Sequence, residues 1–383
     1  MAVTEVTHTS WFSRLGSSLK GILLGFLLFG VGVWLMAWNE GRAVKTAKGL
    51  QEGASTVMTV DSAQPDPANE GRLVHLTGVA SSPEWLKDDL FPIEVQALKL
   101  RRQADMFQWR ENTSSQTRNK VGGGTETVTT YDYERVWADK VIPSNDFKEP
   151  NGHHNPSVMP VTSPLRVAKE ILVGGFKLGP GLMAQVGQFE PLPLPAELPE
   201  GWTAVDGKAF KATDPSSPQV GDLRVQFAIA PPVEVSLIAV QRGGKLEPYL
   251  TQTGTTIELL AHGSQTAAEM FEQAVAANTL MTWLLRLGGF LLLFIAVRVI
   301  LAPLAVLADV LPFLGSLLRF GTSLIAGLIA IPTAFITIAV SWIAYRPTLA
   351  IALLAVAVII PVMLVLMRRP KQVEPPPVPS SAD

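Results

Sequence analysis

Four long apolar runs, placed unevenly, constrain this 383-residue chain more than any other feature. The first covers residues 21–38. The other three lie close to the C-terminus: from about Leu284 to just before Pro303, from about Ser323 to Tyr345, and from about Leu349 to Met367. Each approaches the roughly 20 residues a helix needs to cross about 30 Å of hydrocarbon. A long and mostly polar stretch, residues 39–265, separates the first run from the rest. This layout predicts an α+β membrane protein with four transmembrane helices, one N-terminal and three C-terminal, carrying a large β-rich extramembrane domain.

Residues 21–38 are too long for a signal-peptide core, and no small-residue cleavage site follows them, so they read as an uncleaved anchor. Trp34 and Trp38 near the far end suit a membrane interface. Arg368, Arg369 and Lys371 closely follow the last run. The positive-inside bias then places residues 1–20 and 368–383 in the cytosol and the large domain on the other side. Arg42, Lys45 and Lys48, just past the first run, carry the opposite bias. The Pro- and Ser-rich tail reads as disordered. The third and fourth runs, residues 323–367, are joined by little more than Arg346 and Pro347, which predicts a tight helical hairpin, and Pro332 is expected to kink its first helix. Residues 303–322 are apolar but include Asp309, Arg319 and Pro312, and read as an interfacial or re-entrant connector.

A net charge of −2 leaves no basic footprint for nucleic acid. The absence of cysteine excludes disulfides, Cys-ligated zinc, iron–sulfur clusters and a thiol nucleophile. The chain contains no Walker A, HExxH or GxSxG motif. Gly179 and Gly181 belong to a loose dinucleotide-type match, but a proline occupies the turn and no βαβ unit surrounds it, so they read as a loop pair. His153 and His154 are adjacent, and adjacent side chains rarely converge on one ion, so a polar turn is the better reading. Catalytic, cofactor-binding and metal residues are therefore not expected, nor is a cofactor.

Within the polar stretch, alternation and β-branched content predict strands at residues 73–79, 97–111, 127–137, 222–230, 234–241 and 255–261. The second and third bracket a loop with Gly122, Gly123 and Gly124, as in a long-looped hairpin. Residues 191–199 are proline-rich and read as an extended connector, and Pro231 with Pro232 separates two strands. Thr266 and Glu269 form a capping box that starts a helix over 266–302, leading into the second apolar run. On the strand at 97–111, Lys99 and Arg101 face one way and Arg102 the other. They read as a solvated face with cross-strand charge pairs, with an anionic-lipid or partner surface as the alternative.

Arg286 and Arg298 fall inside the second run. An intramembrane charge suggests a polar path, here with Asp309 as a partner, while snorkelling to the nearer interface is the plainer reading. The sequence Asn-Glu-Gly-Arg occurs twice, as Asn39, Glu40, Gly41, Arg42 and as Asn69, Glu70, Gly71, Arg72. A duplicated strand–turn unit is one reading; chance recurrence is the other, because similarity stops after four residues.

These two motifs are followed in order by Leu100, Arg101, Arg102, Met106, Gln108 and Trp109, then Gly152 and His153 with Asn155, Pro156 and Ser157. Residues 220–225 and 241–243, Thr282 with Trp283, and Tyr345 to Pro347 complete the series. The order resembles the LUMA family of four-span membrane proteins, the group named for transmembrane protein forty-three, over nearly the whole chain. The resemblance implies one span, a large lumenal domain and three more spans, with both termini cytosolic or nucleoplasmic. It implies self-association and a role in organising membranes, with no known catalytic residues. In eukaryotic members it implies emerin and lamins as partners, in the endoplasmic reticulum or inner nuclear membrane. The cysteine-free, Ala- and Pro-rich composition points instead to a bacterial member, with the domain periplasmic and the chain in the inner membrane. The expected function is a non-enzymatic, homo-oligomeric membrane scaffold that contacts the lipid bilayer and other membrane proteins. A channel or transport component built on the C-terminal helices is the alternative, and a membrane-tethered hydrolase comes third.

Overall fold

A computed structural model describes residues 3–309 and 312–343, together with single positions 351, 355 and 359. Its helices are α1 (Trp11–Thr56), α2 (Pro180–Gln185), α3 (Ala267–Ala308) and α4 (Pro312–Ile343). Among the described residues, three helices are long and apolar enough to cross a membrane: α1, α3, and α4 from Phe320 onward. Apart from those single positions, the fourth run lies outside the described residues, as do the Arg346–Pro347 link and the C-terminal tail.

The chain divides into two compact units. One combines Met1–Trp11 with Lys45–Thr279; the other combines Phe12–Val44 with the described residues from Leu280 onward.

The first unit is β-rich. Its eight-stranded sheet is centred on a long hairpin of strands Lys99–Asn119 and Thr125–Ala138. The chain reverses over Gly122 and Gly123, whose φ angles of 92° and 83° suit residues without a Cβ. Strand Leu223–Ala230 pairs along the other edge of Lys99–Asn119, from Ala230 opposite Lys99 to Leu223 opposite Met106. Two short strands share the far edge of Leu223–Ala230. Lys208–Lys211 covers Leu223 to Val225, and Glu190–Leu192 covers Phe227 to Ile229. Glu190–Leu192 opens the proline-rich stretch expected to be a connector. It is extended, yet it joins the sheet, because Pro191 lies on an edge strand where a lost donor is tolerated.

A second, seven-stranded sheet is built around Val233–Arg242, with Leu73–Ser81 on one side and Leu259–His262 on the other. Alternation along the strands sends Leu100, Ala104, Met106, Val225 and Phe227 of the first sheet into one core with Val74, Leu76, Leu237 and Phe176 of the second. A smaller cluster joins Leu50 of α1 and Met270 and Phe271 of α3 to Leu73, Ile238 and Ile257. The capping box that starts α3 forms: the Thr266 N–H donates to Glu269 Oε2 at 2.7 Å, and the Glu269 N–H to Thr266 Oγ1 at 3.3 Å.

Strand Val3–Thr9 is an element that periodicity did not suggest. It pairs antiparallel with Thr125–Tyr131 over its whole length, from Val3 opposite Tyr131 to Thr9 opposite Thr125. The N-terminal segment expected in the cytosol thus adds an edge strand to the domain's own sheet.

The second unit consists of helices. Along α1, Gly21 faces Val299, Gly25 faces Ile300 and Ala296, and Gly32 faces Leu293, so α1 and α3 run antiparallel. A Cβ added to Gly25 would lie 2.6 Å from Ile300 Cγ1 and 3.0 Å from the Ala296 carbonyl oxygen. Such contact between backbones is what small residues permit in helix pairs that have no hydrophobic drive to associate in lipid. Met36, Leu293, Ala330 and Ala334 form the core with α4. The described part of residues 303–322, expected as a connector, falls largely within two helices. α3 continues through Pro303 to Ala308, and α4 begins at Pro312. Leu304, Ala305, Val306 and Leu307 sustain the helix, and one missing donor at Pro303 does not end it in an apolar segment.

Candidate functional site

The helical unit holds a cluster of polar side chains on three different helices. Its centre is the Glu40 carboxylate on α1, 1% exposed. Arg286 on α3 grips it with two parallel bonds, Nε to Oε1 at 2.7 Å and Nη2 to Oε2 at 2.9 Å. The indole N–H of Trp342 on α4 donates to Oε2 as well. The Arg286 guanidinium also lies 4.7 Å from the Trp283 ring centroid and 5.6 Å from that of Trp342. A carboxylate so enclosed is costly unless paired, and the planar fork of arginine suits bidentate pairing.

Next to it, fully buried Asn39 donates from Nδ2 to the Thr282 carbonyl oxygen at 3.1 Å. Its Oδ1 accepts from Arg42 Nη2 at 3.1 Å, and Arg42 Nη2 also reaches Thr282 Oγ1 at 3.1 Å. Gly41 lies between them within α1. The first Asn-Glu-Gly-Arg motif is therefore the α1 half of a polar lock, and Thr282, Trp283 and Arg286 form the α3 half.

A second buried pair joins the same two helices. Arg14 Nη2 lies 2.6 Å from Asp309 Oδ2, and Asp309 is 1% exposed. At 1.5 Å per residue, roughly 39 Å of α1 separates Arg14 from Glu40, and roughly 35 Å separates Arg286 on α3 from Asp309, just past its end. The two pairs thus bracket a length close to the hydrocarbon thickness of a bilayer.

This arrangement corrects two expectations. Arg286 does not snorkel, because it is spent on Glu40, and Asp309 pairs with Arg14 rather than with an arginine of its own helix. Arg298 does extend outward; it is exposed and lies 5.9 Å from the Phe294 ring centroid. Arg286, Arg298 and Asp309 do not converge on a common path.

The second motif has a different role, which removes the duplicated-unit reading. Asn69 ends a single 3-10 turn, and Gly71 adopts φ of 73°. Glu70 accepts the Gly243 N–H at 3.0 Å, and the Gly71 N–H donates to the Gln241 carbonyl oxygen at 2.9 Å. Arg72 donates to Met58 Sδ at 3.3 Å. The four residues staple a turn to the start of strand Leu73–Ser81.

The remaining motif residues mostly support the β-rich unit. Arg102 is not on a solvated face. It is 3% exposed and binds buried Asp88 at 2.6 Å, Asp89 at 3.0 Å and the Thr162 carbonyl oxygen at 3.0 Å. Lys99 is buried too, and its Nζ donates to the Ala184 carbonyl oxygen at 2.9 Å; burial lowers its pKa. Only Arg101 of the three is exposed. Asn155 accepts the Trp109 N–H at 2.7 Å and donates to the Trp109 carbonyl at 2.8 Å, standing in for a strand partner. His153 stacks on Tyr133 with centroids 3.9 Å apart and meets Trp109 edge-on at 4.8 Å. Pro156 packs beside Gly221.

Gly179 caps the six-residue helix α2, with Pro180 and Gly181 in its first turn. The Glu258 carboxylate lies against Gly179 and Gly181 and accepts the Leu182 N–H, so a carboxylate fills the place a pyrophosphate would need. Burial raises the Glu258 pKa, and its Oε1 is buried with no hydrogen-bond partner among the described residues. The described residues contain no cluster of three or more metal-ligating side chains.

Among the described residues, a β-rich unit and three apolar helices, two of them continuous with that unit, define an integral membrane protein with a large folded domain. Residues 106–347 match the family profile described as Transmembrane protein 43. The chain belongs to that family, in agreement with the order of motifs in its sequence. It is 34% identical to Transmembrane protein 43 of Rattus norvegicus over 382 residues, covering 96% of this chain and 95% of the relative. Against Transmembrane protein 43 of Homo sapiens the identity is 33% with the same coverage. Against the Drosophila melanogaster homolog it is 32% over 340 residues, covering 87% of this chain and 90% of the relative. These relatives are named as transmembrane proteins and not as enzymes. No solved structure matches the chain.

Proposed function

We propose that the protein is a non-enzymatic membrane scaffold that self-associates and presents its β-rich domain to other membrane proteins. The observation that carries this reading is the Glu40–Arg286–Trp342 cluster, which spends buried charge on fixing three helices. A transport path would keep such groups facing a polar cavity. Here the carboxylate and guanidinium satisfy each other, and the Arg14–Asp309 pair does the same roughly six to seven turns away along the helices. The lipid bilayer and other integral proteins are the partners of this role. The compartment depends on the host: the inner membrane with a periplasmic domain in a bacterium, the endoplasmic reticulum or inner nuclear membrane in a eukaryote.

Crosslinking in native membranes, followed by sizing of the purified protein across a wide concentration range, tests the scaffold. Oligomers are expected in both measurements. A strict monomer at every concentration removes self-association, and steady ion flux through protein-containing liposomes would replace the scaffold with a channel.

A further inference from the structure

The eight-stranded sheet has an opening that the membrane role does not use. Strands Lys208–Lys211 and Glu190–Leu192 occupy the same edge of Leu223–Ala230 but cover different residues, leaving a gap beside Gln226. A cleft of about 400 Å³ lies there, within the range of small-molecule sites. Ala228 stands opposite Arg101 across the strand pair, so a methyl group forms the floor where a longer side chain would fill the space.

Two cations and two carboxylates line this cleft: Arg101, Lys208, Glu190 and Asp206. None forms an ion pair with a described residue. Arg101 is held in place, its guanidinium 4.2 Å from the Phe189 ring centroid. That stacking leaves the edge of the fork, with its N–H donors, free to meet a planar or tetrahedral anion. Gln226 donates to Gln103 Oε1 at 3.0 Å, which orients both amides and leaves Gln103 with donors and Gln226 with an acceptor. Asp206 is fixed as well. With φ of 48° followed by Gly207 at 74°, it forms the two-residue turn of a tight hairpin, which suits an Asp-Gly pair.

We propose that this cleft binds a small zwitterion, its anionic group received by Arg101 and Lys208 and its ammonium by Glu190 and Asp206. Charges of both signs explain the choice. A polyanion would be repelled by the two carboxylates, and a simple cation by the guanidinium and ammonium. Phe189 and Leu192 supply an apolar wall for a short side chain or stem. Two sources carry this chemistry: free α-amino acids, and the phosphoethanolamine headgroup of a lipid.

The full-length protein in detergent is titrated by calorimetry with each of the twenty amino acids, and separately with glycerophosphoethanolamine. Saturable binding of at least one probe is expected, and the responding arm identifies the source. Arg101→Gln and Glu190→Gln each weaken it by about tenfold or more, as removal of a charge-assisted contact would. Asp206→Asn, which retains a residue that tolerates positive φ, gives the same direction without disturbing the turn. Lack of saturable binding by every probe overturns the proposal, as does binding that Arg101→Gln and Glu190→Gln leave unchanged.

Discussion

Glu40 and Arg286, 246 residues apart in sequence, close a bidentate ion pair between α1 and α3 that is almost wholly shielded. Removing one partner leaves the other charge buried and unpaired. Glu40→Ala is therefore expected to destabilise the helical unit by about 3–5 kcal/mol. Unfolding followed by tryptophan fluorescence in detergent reports this, since Trp283 and Trp342 flank the pair. Arg286→Met in the Glu40→Gln background should cost less than either single change predicts by addition, because the two residues act as a unit.

The α1–α3 contact depends on glycine at one position and not at another. Gly25→Val places atoms into Ile300 and the Ala296 backbone and is expected to cost about 1–3 kcal/mol as overpacking. Gly16 has nothing within 4 Å of an added Cβ, so Gly16→Ala should be neutral or stabilising by up to about 1 kcal/mol through helix propensity. Thermal unfolding of the two variants side by side is the measurement. Equal melting temperatures would remove close helix packing as the reason for Gly25.

Glu258 gives the β-rich unit a pH dependence of known sign. Burial raises its pKa above 4.5, so the folded state favours the protonated carboxyl. That contribution is fully present below the unfolded value and is lost as pH rises through the folded value. Glu258→Gln mimics the protonated form. It should be relatively more stable at neutral pH than the native chain and should flatten the acid-to-neutral slope in denaturant titrations.

Arg102 supports the core through a buried pair with Asp88. Arg102→Met is expected to destabilise this unit by about 3–5 kcal/mol, and Asp88→Asn with Arg102→Met together by less, because no lone buried charge remains. Circular dichroism at increasing urea resolves the difference.

A strand and the sheet it joins must share one side of a bilayer. The pairing of Val3–Thr9 with Thr125–Tyr131 and a crossing by residues 21–38 that leaves Met1 opposite the domain therefore exclude each other within one copy. The chain has no cysteine, so a Glu5→Cys, Thr129→Cys double variant tests the pairing without background. A disulfide is expected to form in native membranes under oxidising conditions, read as a mobility shift on gels. Persistent free thiols would show that the N-terminus crosses instead.

Much of the fold is legible in local pattern. Apolar run length identifies α1, α3 and α4, alternation locates strands Leu223–Ala230 and Val233–Arg242, and Thr266 with Glu269 marks the start of α3. Boundaries are less legible. Lys99–Asn119 extends well past the predicted end at 111, because Thr, Ser and Gln there are held by cross-strand pairing with Thr125–Ala138 rather than by burial of their own. Pro303 resembles a helix stop, yet α3 runs on through it to Ala308.

The site divides in the same way. By itself, the sequence determined that the chain enters a membrane, that it lacks thiol chemistry, and that Asn39, Glu40 and Arg42 stand just beyond the first apolar run. Which charge meets which was decided by tertiary structure alone. Glu40 and Arg286 lie on helices separated by the whole β-rich domain, and a pair that distant leaves no periodic or spacing signal. Identical four-residue motifs took opposite roles for the same reason: in α1 the backbone is already paired and the side chains are free to bridge helices, while at Asn69 they must satisfy a turn.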